Sequence, residues 1–157
     1  MKTIRRRRKE SKTSFKKRFG LLKSGKSRLV VRKTNRYIII QIVETTVAQD
    51  KVLLTLSSKE LLENNWPKEK SGSLKSLHAA YLTGFLLAKK TKSKDFILDI
   101  GLQRSIHGSR IFAAVKGAID GGLKIPHNKN ALPTEDRFKS NKELYNLMNR
   151  IKEKIHG

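Results

Sequence analysis

The sequence predicts an α/β fold in which a small mixed sheet is packed against helices and preceded by a flexible basic arm. Three observations lead to this class. Basic residues are concentrated at the N-terminus, three segments rich in β-branched residues follow one another, and stretches with helical periodicity flank a further short apolar run. At 157 residues the chain is long enough for one hydrophobic core. We therefore expect an arm over residues 1–26 and a single α/β domain over residues 27–157 that ends in a helix.

Three strands are expected directly after the arm. Residues 28–32 and 37–43 are rich in Val and Ile and are separated by a short polar turn at residues 33–36. Residues 51–56 predict a third strand, which follows a turn near Gln49 and Asp50. Because the three segments are close together in the chain, they should pair antiparallel as a meander.

Two helices are expected next. Ser57 and Glu60 have capping-box spacing, which predicts a short helix over residues 59–64, and residues 68–72 should form a loop. A longer helix then begins at Ser73 and ends at two lysines that suit the negative pole of the helix dipole. Its apolar face consists of residues spaced three and four apart, namely Leu74, Leu77, His78, Tyr81, Leu82 and Phe85.

Glycines inside the helical segments indicate close contacts. Gly84 lies inside the longer helix, where glycine costs about 1 kcal/mol relative to alanine, so we expect it to allow close packing against a strand. Gly117 and Gly121 have the spacing of a small-residue motif, which in a soluble helix also indicates close packing.

The second half of the domain should add one strand and two helices. Residues 95–102 form an apolar run, and a strand entered through a helix favours parallel pairing by a crossover. Ser109 is placed to cap the following helix, which should end at two glycines. Residues 124–137 predict an irregular connection, and Ser140 with Glu143 has the spacing of another capping box before the last helix.

The arm and the first predicted strand with its turn carry most of the charge. Residues 1–36 contain sixteen Lys or Arg against one acid, Glu10, a net charge of +15 out of +23 for the chain. A run such as residues 5–9 repels itself and has little apolar surface to bury, so on its own it should be solvated and mobile. A polyanion would order it, and nucleic acid is the obvious candidate because each phosphate neutralised releases counterions. A nuclear-targeting or purely solubilising tail is the alternative.

Composition excludes several classes of protein. There is no cysteine, which rules out disulfides, thiol catalysis and cysteine zinc sites. No apolar run approaches the roughly 20 residues of a membrane span, and we expect a cytosolic protein. Binding to an anionic membrane surface is a weaker alternative, because the arm has few apolar residues. Aromatic residues are 6% of the chain, which disfavours recognition by extensive base stacking.

An enzymatic alternative depends on three carboxylates, Asp95, Asp99 and Asp120. Carboxylates at strand ends can hold Mg²⁺ for phosphoryl transfer. On an extended strand Asp95 and Asp99 would lie roughly 13 Å apart, too far to share a metal. A nuclease therefore requires Asp99 and Asp120 to converge. The four histidines are scattered and form no HxH or HxxxH pair, so we expect no metal site.

The segment from Gly101 to Ser109 lies between a predicted strand and a predicted helix, where backbone N–H groups can receive a phosphate. It lacks the Gly-Lys-Ser/Thr ending of a P-loop, so it does not predict a nucleotide site. A contact between Arg104 or Arg110 and an RNA phosphate is the milder hypothesis, and a solvated loop is its alternative.

A set of collinear motifs resembles the large-subunit ribosomal protein eighteen family, the 5S rRNA binders, in its archaeal form. The arm and first strands contribute Ile4-Arg-Arg-Arg-Arg-Lys, Lys12-Thr13, Phe15, Arg18, Leu21-Leu22-Lys-Ser-Gly-Lys, Arg28-Leu-Val-Val-Arg-Lys-Thr-Asn35 and Gln41. The later motifs are Ala80-Tyr-Leu-Thr-Gly84, Leu98-Asp-Ile-Gly-Leu102, Gly108-Ser-Arg-Ile-Phe-Ala113, Lys116-Gly-Ala-Ile-Asp-Gly-Gly-Leu123, Ile125-Pro-His127 and Leu132-Pro-Thr-Glu-Asp-Arg137. The resemblance covers residues 4 to 137, and the segment from Lys139 matches least well. Ser11 and Ser14 replace the glycine and aspartate usual in the family, which affects local turn geometry.

The resemblance implies a structural ribosomal protein without catalytic activity or cofactor. Its expected partners are 5S rRNA, large-subunit rRNA and neighbouring proteins of the central protuberance, with no membrane and no DNA. The RNA-tracking role of the family's arm and first strands is carried over to Arg5, Arg6, Arg7, Arg8, Lys9, Lys12, Thr13, Lys16, Lys17, Arg18, Arg28, Arg32 and Arg36. Further RNA contacts are expected at Phe15, which holds the family's aromatic position, and at Lys23, Lys26, Lys33, Asn35, Arg104, His107, Arg110 and His127.

The expected function is to organise 5S rRNA and to dock it on the large-subunit rRNA of the cytoplasmic ribosome. Basic residues should contact phosphates, while RNA shape supplies most of the specificity. Two alternatives remain, an RNA-processing nuclease that uses the carboxylates and a general nucleic-acid chaperone that binds unrelated RNAs equally.

Overall fold

The computed structural model describes residues 9–10, 12–46, 49–92 and 95–156, and within them four strands form one mixed sheet. The sheet order is β3-β2-β1-β4, and the strands are β1 (Arg28–Lys33), β2 (Ile38–Thr46), β3 (Gln49–Ser57) and β4 (Ile97–Asp99). β1, β2 and β3 pair antiparallel in succession, and β4 pairs parallel with β1. The predicted α/β class, meander and crossover strand are confirmed. The basic run at residues 5–8 lies outside the described residues.

Helices occupy most of the remaining described chain. The α-helices are α1 (Phe15–Lys23), α2 (Leu77–Lys90), α3 (Arg110–Asp120), α4 (Glu135–Lys139) and α5 (Lys142–His156). Short 3₁₀ helices span Ser58–Leu62, Lys68–Ser73 and Lys129–Ala131. No helix was expected in the arm or at residues 135–139, so α1 and α4 are additions to the expected fold.

The core lies between one face of the sheet and helices α2 and α3. Side chains alternate along β1, so that Leu29 and Val31 are fully buried in this core. Arg28, Val30 and Arg32 therefore point to the opposite face. Two arginines on the face away from the helices give that side of β1 a polar character.

Helices α2 and α3 run parallel and approach so closely that glycine is required at their crossing. A Cβ at Gly84 would collide with the backbone of Ala114, and one at Gly117 would collide with the backbone of Tyr81. A Cβ at Gly121 would clash with Ala88, and the N-terminal ends of both helices line one cleft, which shows that they run in the same direction. The close packing expected for Gly84 is present, but its neighbour is a helix and not the predicted strand.

Strand β4 is shorter than the apolar run predicts. Only Ile97, Leu98 and Asp99 pair with β1. The chain then turns at Gly101, which has a φ of +60°, a left-handed conformation that side chains other than glycine rarely adopt. Residues 100–102 are therefore not part of the strand.

Two predicted helix starts are wrong because nearby side chains make other bonds. Ser73 donates its hydroxyl to the carbonyl of Lys70 within a 3₁₀ turn, and Ser76 instead caps α2 by accepting from the N–H of Ala79. Ser140 donates to the carbonyl of Arg137, while Asn141 accepts from the N–H of Leu144 at the start of α5. The predicted Ser57 and Glu60 capping box is present, although it precedes a 3₁₀ helix.

Replacement of Gly117 by alanine tests the helix crossing. The added methyl group must push α3 away from the Tyr81 carbonyl, so Gly117→Ala should lower the free energy of unfolding by about 1 to 3 kcal/mol. Urea denaturation followed by circular dichroism measures this loss.

The matched control is Gly20→Ala in α1, where no atom lies within 4 Å of the added Cβ. Because alanine is the better helix former, this variant should keep or raise the stability. Equal destabilisation by the two variants would contradict the close crossing of α2 and α3.

Candidate nucleic-acid interface

Arg28 is buried within a group of charged side chains on the open face of the sheet. Its side chain is 3% exposed, and its guanidinium bonds to Asp99 Oδ2 at 3.0 Å, to Asp50 Oδ1 at 2.6 Å and to Thr45 Oγ1 at 3.0 Å. With these partners it is not accessible to a phosphate in this structure. In this structure Arg28 therefore has a structural role, and a direct RNA contact by Arg28 stays a prediction.

Arg32 lies four residues further along β1, on the same face, and is partly exposed. It donates to the Asp99 carboxylate at 3.0 Å and to the Asp99 carbonyl at 2.7 Å. The same carboxylate accepts from the N–H of Gly101 at 2.8 Å. Asp99 thus joins Arg28, Arg32 and the start of the following loop, while the Arg32 side chain stays 36% exposed.

Asp50 connects this group to the arm. Its second carboxylate oxygen accepts from Arg18 of α1 at 2.7 Å. Burial raises the pKa of Asp50, but hydrogen bonds from Thr45, Arg28 and Arg18 outweigh that effect and hold the pKa below its ordinary value. Asp50 is therefore charged at neutral pH and attaches the arm helix to the sheet.

A cleft of about 840 Å³, here called the arm groove, lies between α1 and the segment after β4. Five of the predicted RNA-contact residues line it, together with a single carboxylate, that of Asp99. They are Lys12, Thr13, Lys17, Arg18 and Arg32. Lys12 also pairs with Glu10 at 2.7 Å. The structure therefore brings residues of the arm and of β1, which are separate in the sequence, to one basic groove.

Most of the other predicted contacts on the arm and first strands are exposed but do not line this groove. Phe15 is partly buried. The exposed group comprises Lys9, Lys16, Lys23, Lys26, Lys33, Asn35 and Arg36. Arg5, Arg6, Arg7 and Arg8 lie outside the described residues.

The later predicted contacts form two further groups. Arg104, His107 and Arg110 line a second cleft, of about 1130 Å³, with Lys33. Arg137 lines it as well, a residue that the sequence analysis quoted in a motif but did not assign to RNA. His127 lies apart, in a shallow depression of about 380 Å³ that it shares with Lys26.

The carboxylates needed by the nuclease hypothesis have separate partners. Asp99 bonds to the two arginines of β1, whereas Asp120 accepts from the hydroxyl of Tyr81 at 2.7 Å. Across the described part of the chain, no cluster of three or more His, Cys, Asp or Glu residues is arranged to hold a metal ion. Convergence of Asp99 and Asp120 on a metal therefore has no support in this structure.

His78 is a buried histidine with a structural bond. Its Nε2 lies 2.8 Å from the carbonyl of Phe138, and because a carbonyl only accepts, Nε2 carries the proton. Burial lowers the pKa of His78 even though this bond favours the charged form. The ring therefore attaches α2 to the region of α4 as a neutral group.

None of the helices in the described ranges combines the length and the apolarity required to cross a membrane.

Comparison with known proteins gives consistent matches over most of the chain. The profile of a family described as "Ribosomal large subunit proteins 60S L5, and 50S L18" matches residues 1–95 and 90–128. The large ribosomal subunit protein uL18 of Korarchaeum cryptofilum is 47% identical over 137 residues, which cover 85% of this chain and 68% of the relative.

Two further relatives carry the same name. The uL18 protein of Methanoculleus marisnigri is 48% identical over 137 residues, covering 85% of this chain and 76% of the relative. That of Thermofilum pendens is 43% identical over 150 residues, covering 94% of this chain and 74% of the relative.

Replacement of Asp50 by asparagine tests the attachment of the arm helix. The variant weakens the charged hydrogen bonds of a carboxylate that faces the buried Arg28 and is itself 29% exposed, so Asp50→Asn should lower the free energy of unfolding by about 2 kcal/mol. Urea denaturation at pH 7 measures the loss. As a control, Glu143→Gln removes the exposed pair with Lys70 and should leave stability unchanged within error.

The pH dependence of the free energy of unfolding, compared between wild type and Asp50→Asn, gives a second test of this role. Because the folded pKa of Asp50 is below its ordinary value of 3.8, its contribution is present above that value and is lost as the pH falls through the folded pKa. Wild type should therefore lose more stability than Asp50→Asn as the pH falls from about 5 through the folded pKa of Asp50. Parallel curves for the two proteins would contradict this role of Asp50.

Proposed function

The chain belongs to the ribosomal large-subunit protein family of 60S L5 and 50S L18, and from this premise we propose that it binds 5S rRNA and helps to attach it to large-subunit rRNA in the central protuberance. The family comprises structural proteins of the large subunit and is not an enzyme family. We further propose the cytoplasmic ribosome as the location and neighbouring proteins of the protuberance as additional partners.

The observation that carries the proposal is the arm groove. Lys12 and Lys17 from the arm and Arg32 from β1 line one cleft, in which Asp99 is the single carboxylate. Asp99 already bonds to Arg28 and Arg32, and Lys12 pairs with Glu10, so Lys17 supplies the positive charge that the groove leaves for a ligand. A sugar-phosphate backbone is a suitable ligand because phosphates accept bonds from Lys and Arg without requiring a particular base.

In the proposed complex, phosphate and ribose contacts come from all the predicted residues except Arg28. Arg28 acts indirectly, since it holds Asp50 and through it Arg18 and α1. Residues of the folded domain define the position of the groove, and the basic run at residues 5–8 extends the contact along the RNA.

A general nucleic-acid chaperone would have the same charge but would not discriminate among RNAs. Competition separates the two functions. The proposed function predicts that labelled 5S rRNA stays bound in the presence of an equal mass of transfer RNA, and equal competition by transfer RNA would support the chaperone instead.

The salt dependence of 5S rRNA binding tests the phosphate contacts. If the interface makes about 6 to 10 of them, raising the salt from about 50 to 200 mM should weaken binding by about 10³ to 10⁵. Filter binding at several salt concentrations measures the slope of log K against log salt. An affinity that does not depend on salt would refute the proposed mode of binding.

Two lysines of α1 provide a specific version of this test. Lys16 and Lys17 are exposed, and alanine preserves helix propensity, so Lys16→Ala/Lys17→Ala should reduce the slope by about 1.4 to 1.8 without changing stability. The control, Lys59→Ala/Lys154→Ala, removes two exposed lysines that line none of the three clefts. It should keep the wild-type slope.

A further inference from the structure

The loop between β4 and α3, residues 100–109, has a glycine near each of its two ends. The side chain of a different arginine packs over each glycine. Gly101 and Gly108 have φ values of +60° and +63°. The Arg32 guanidinium lies 2.9 Å from the position of a Cβ at Gly101, and that of Arg137 occupies the corresponding place at Gly108. Each arginine side chain packs over a glycine whose left-handed backbone conformation other residues rarely adopt.

Hydrogen bonds anchor the same loop to three other segments. The N–H of Gly101 donates to the Asp99 carboxylate at 2.8 Å, and that of Gly108 donates to the Ala131 carbonyl at 2.8 Å. The side chain of Gln103 donates to the Lys33 carbonyl at 3.2 Å. A loop tied in this way presents its outward side chains in a defined arrangement before any ligand binds.

The outward side chains alternate between apolar and basic. Leu102 is 54% exposed and Ile106 is 58% exposed, two of the five large apolar side chains that are most exposed in the described part of the chain. Arg104 and His107 are exposed beside them. Exposed aliphatic groups on an anchored loop indicate a surface that is covered when the protein functions.

The surroundings of the loop are electropositive. The cleft beside it is lined by Lys33, Arg104, Arg110 and Arg137, with Asp136 as the single carboxylate. Because α2 and α3 pack in parallel, both of their N-termini lie at this cleft, and each contributes partial positive charge. An RNA backbone complements this field, whereas an acidic protein surface would need several unpaired carboxylates at the same spacing.

The loop also borders the arm groove. Leu102 and Gln103 line both clefts, so an RNA held in the arm groove reaches the loop without a gap. This continuity favours one RNA as the ligand of both surfaces.

The geometry points to the β4–α3 loop as a second contact site for 5S rRNA, in which Leu102 and Ile106 pack on the ribose or base faces of unstacked nucleotides while Arg104 and Arg110 bind the flanking phosphates. This inference rests on the proposed function and adds to it. In such a site the aliphatic contacts contribute affinity that does not depend on salt, and the arginines contribute affinity that does.

Two double variants separate these contributions in the full-length protein. Leu102→Ala/Ile106→Ala should weaken 5S rRNA binding by about tenfold at every salt concentration, with an unchanged slope of log K against log salt. Arg104→Ala/Arg110→Ala should lower that slope by about 1.4 to 1.8. Thermal unfolding followed by circular dichroism checks that each variant, with its exposed substitutions, is folded as wild type is.

The matched control for the aliphatic pair is Val52→Ala/Leu53→Ala on β3, where the side chains are 50% and 47% exposed and line none of the three clefts. It should bind 5S rRNA as wild type does. Wild-type affinity in Leu102→Ala/Ile106→Ala, or an equal loss in the β3 control, would overturn the inference. Loss of binding to a large-subunit protein with RNA affinity intact would overturn it in favour of a protein-docking loop.

The result also separates this inference from the proposed function. If wild type shows no preference for 5S rRNA over transfer RNA, the proposed function fails and the inference fails with it. If wild type shows the preference and Lys16→Ala/Lys17→Ala lowers the slope, while both loop variants bind as wild type does, the inference fails, Arg104 and Arg110 drop out of the proposed contacts, and the binding of 5S rRNA by the arm groove stands.

Discussion

Neutralisation of Arg28 by Asp50 and Asp99 is the interaction on which the interface depends. Burial of a guanidinium that is 3% exposed is costly unless carboxylates face it. The two carboxylates come from β3 and β4, which are the two edge strands of the sheet. Asp50 also accepts from Arg18 of α1, and Asp99 also accepts from Arg32. One buried charge therefore connects both edges of the sheet with the arm helix.

The basic residues near the arm fall into two classes, those that pair with carboxylates inside the protein and those that stay exposed. Thirteen acidic residues cannot neutralise thirty-six basic ones, and two of the thirteen are used around Arg28. A buried ion pair adds little net stability, but the loss of one partner is costly, so it favours one arrangement over others. The lysines of α1 keep most of their charge available to a ligand. Internal pairs thus position the arm, and exposed lysines give it affinity for a polyanion.

Residue patterns predicted the sheet and the main helices because those elements follow local rules. Alternation in β1 and the apolar face of α2 are readable from neighbours in the chain. The role of Arg28 could not be predicted from the sequence, because Arg28 and Arg32 carry the same charge and lie on the same face of β1. The burial of Arg28 depends on Asp50, Thr45 and Asp99, which belong to other strands. Gly84 shows the same limit, since its pattern indicated a close contact without naming α3 as the neighbour.

The two anchored parts of the interface also explain why a highly charged arm requires a folded domain. A mobile polycation binds any polyanion, and ordering it on RNA costs conformational entropy at each residue. Attachment of α1 to Asp50 removes part of that cost before binding, and the arginine-covered glycines do the same for the β4–α3 loop. Because the sheet sets the distance between these two rigid surfaces, an RNA must match that distance to use both. Discrimination among RNAs with the same backbone charge can therefore arise from shape, with few contacts to bases.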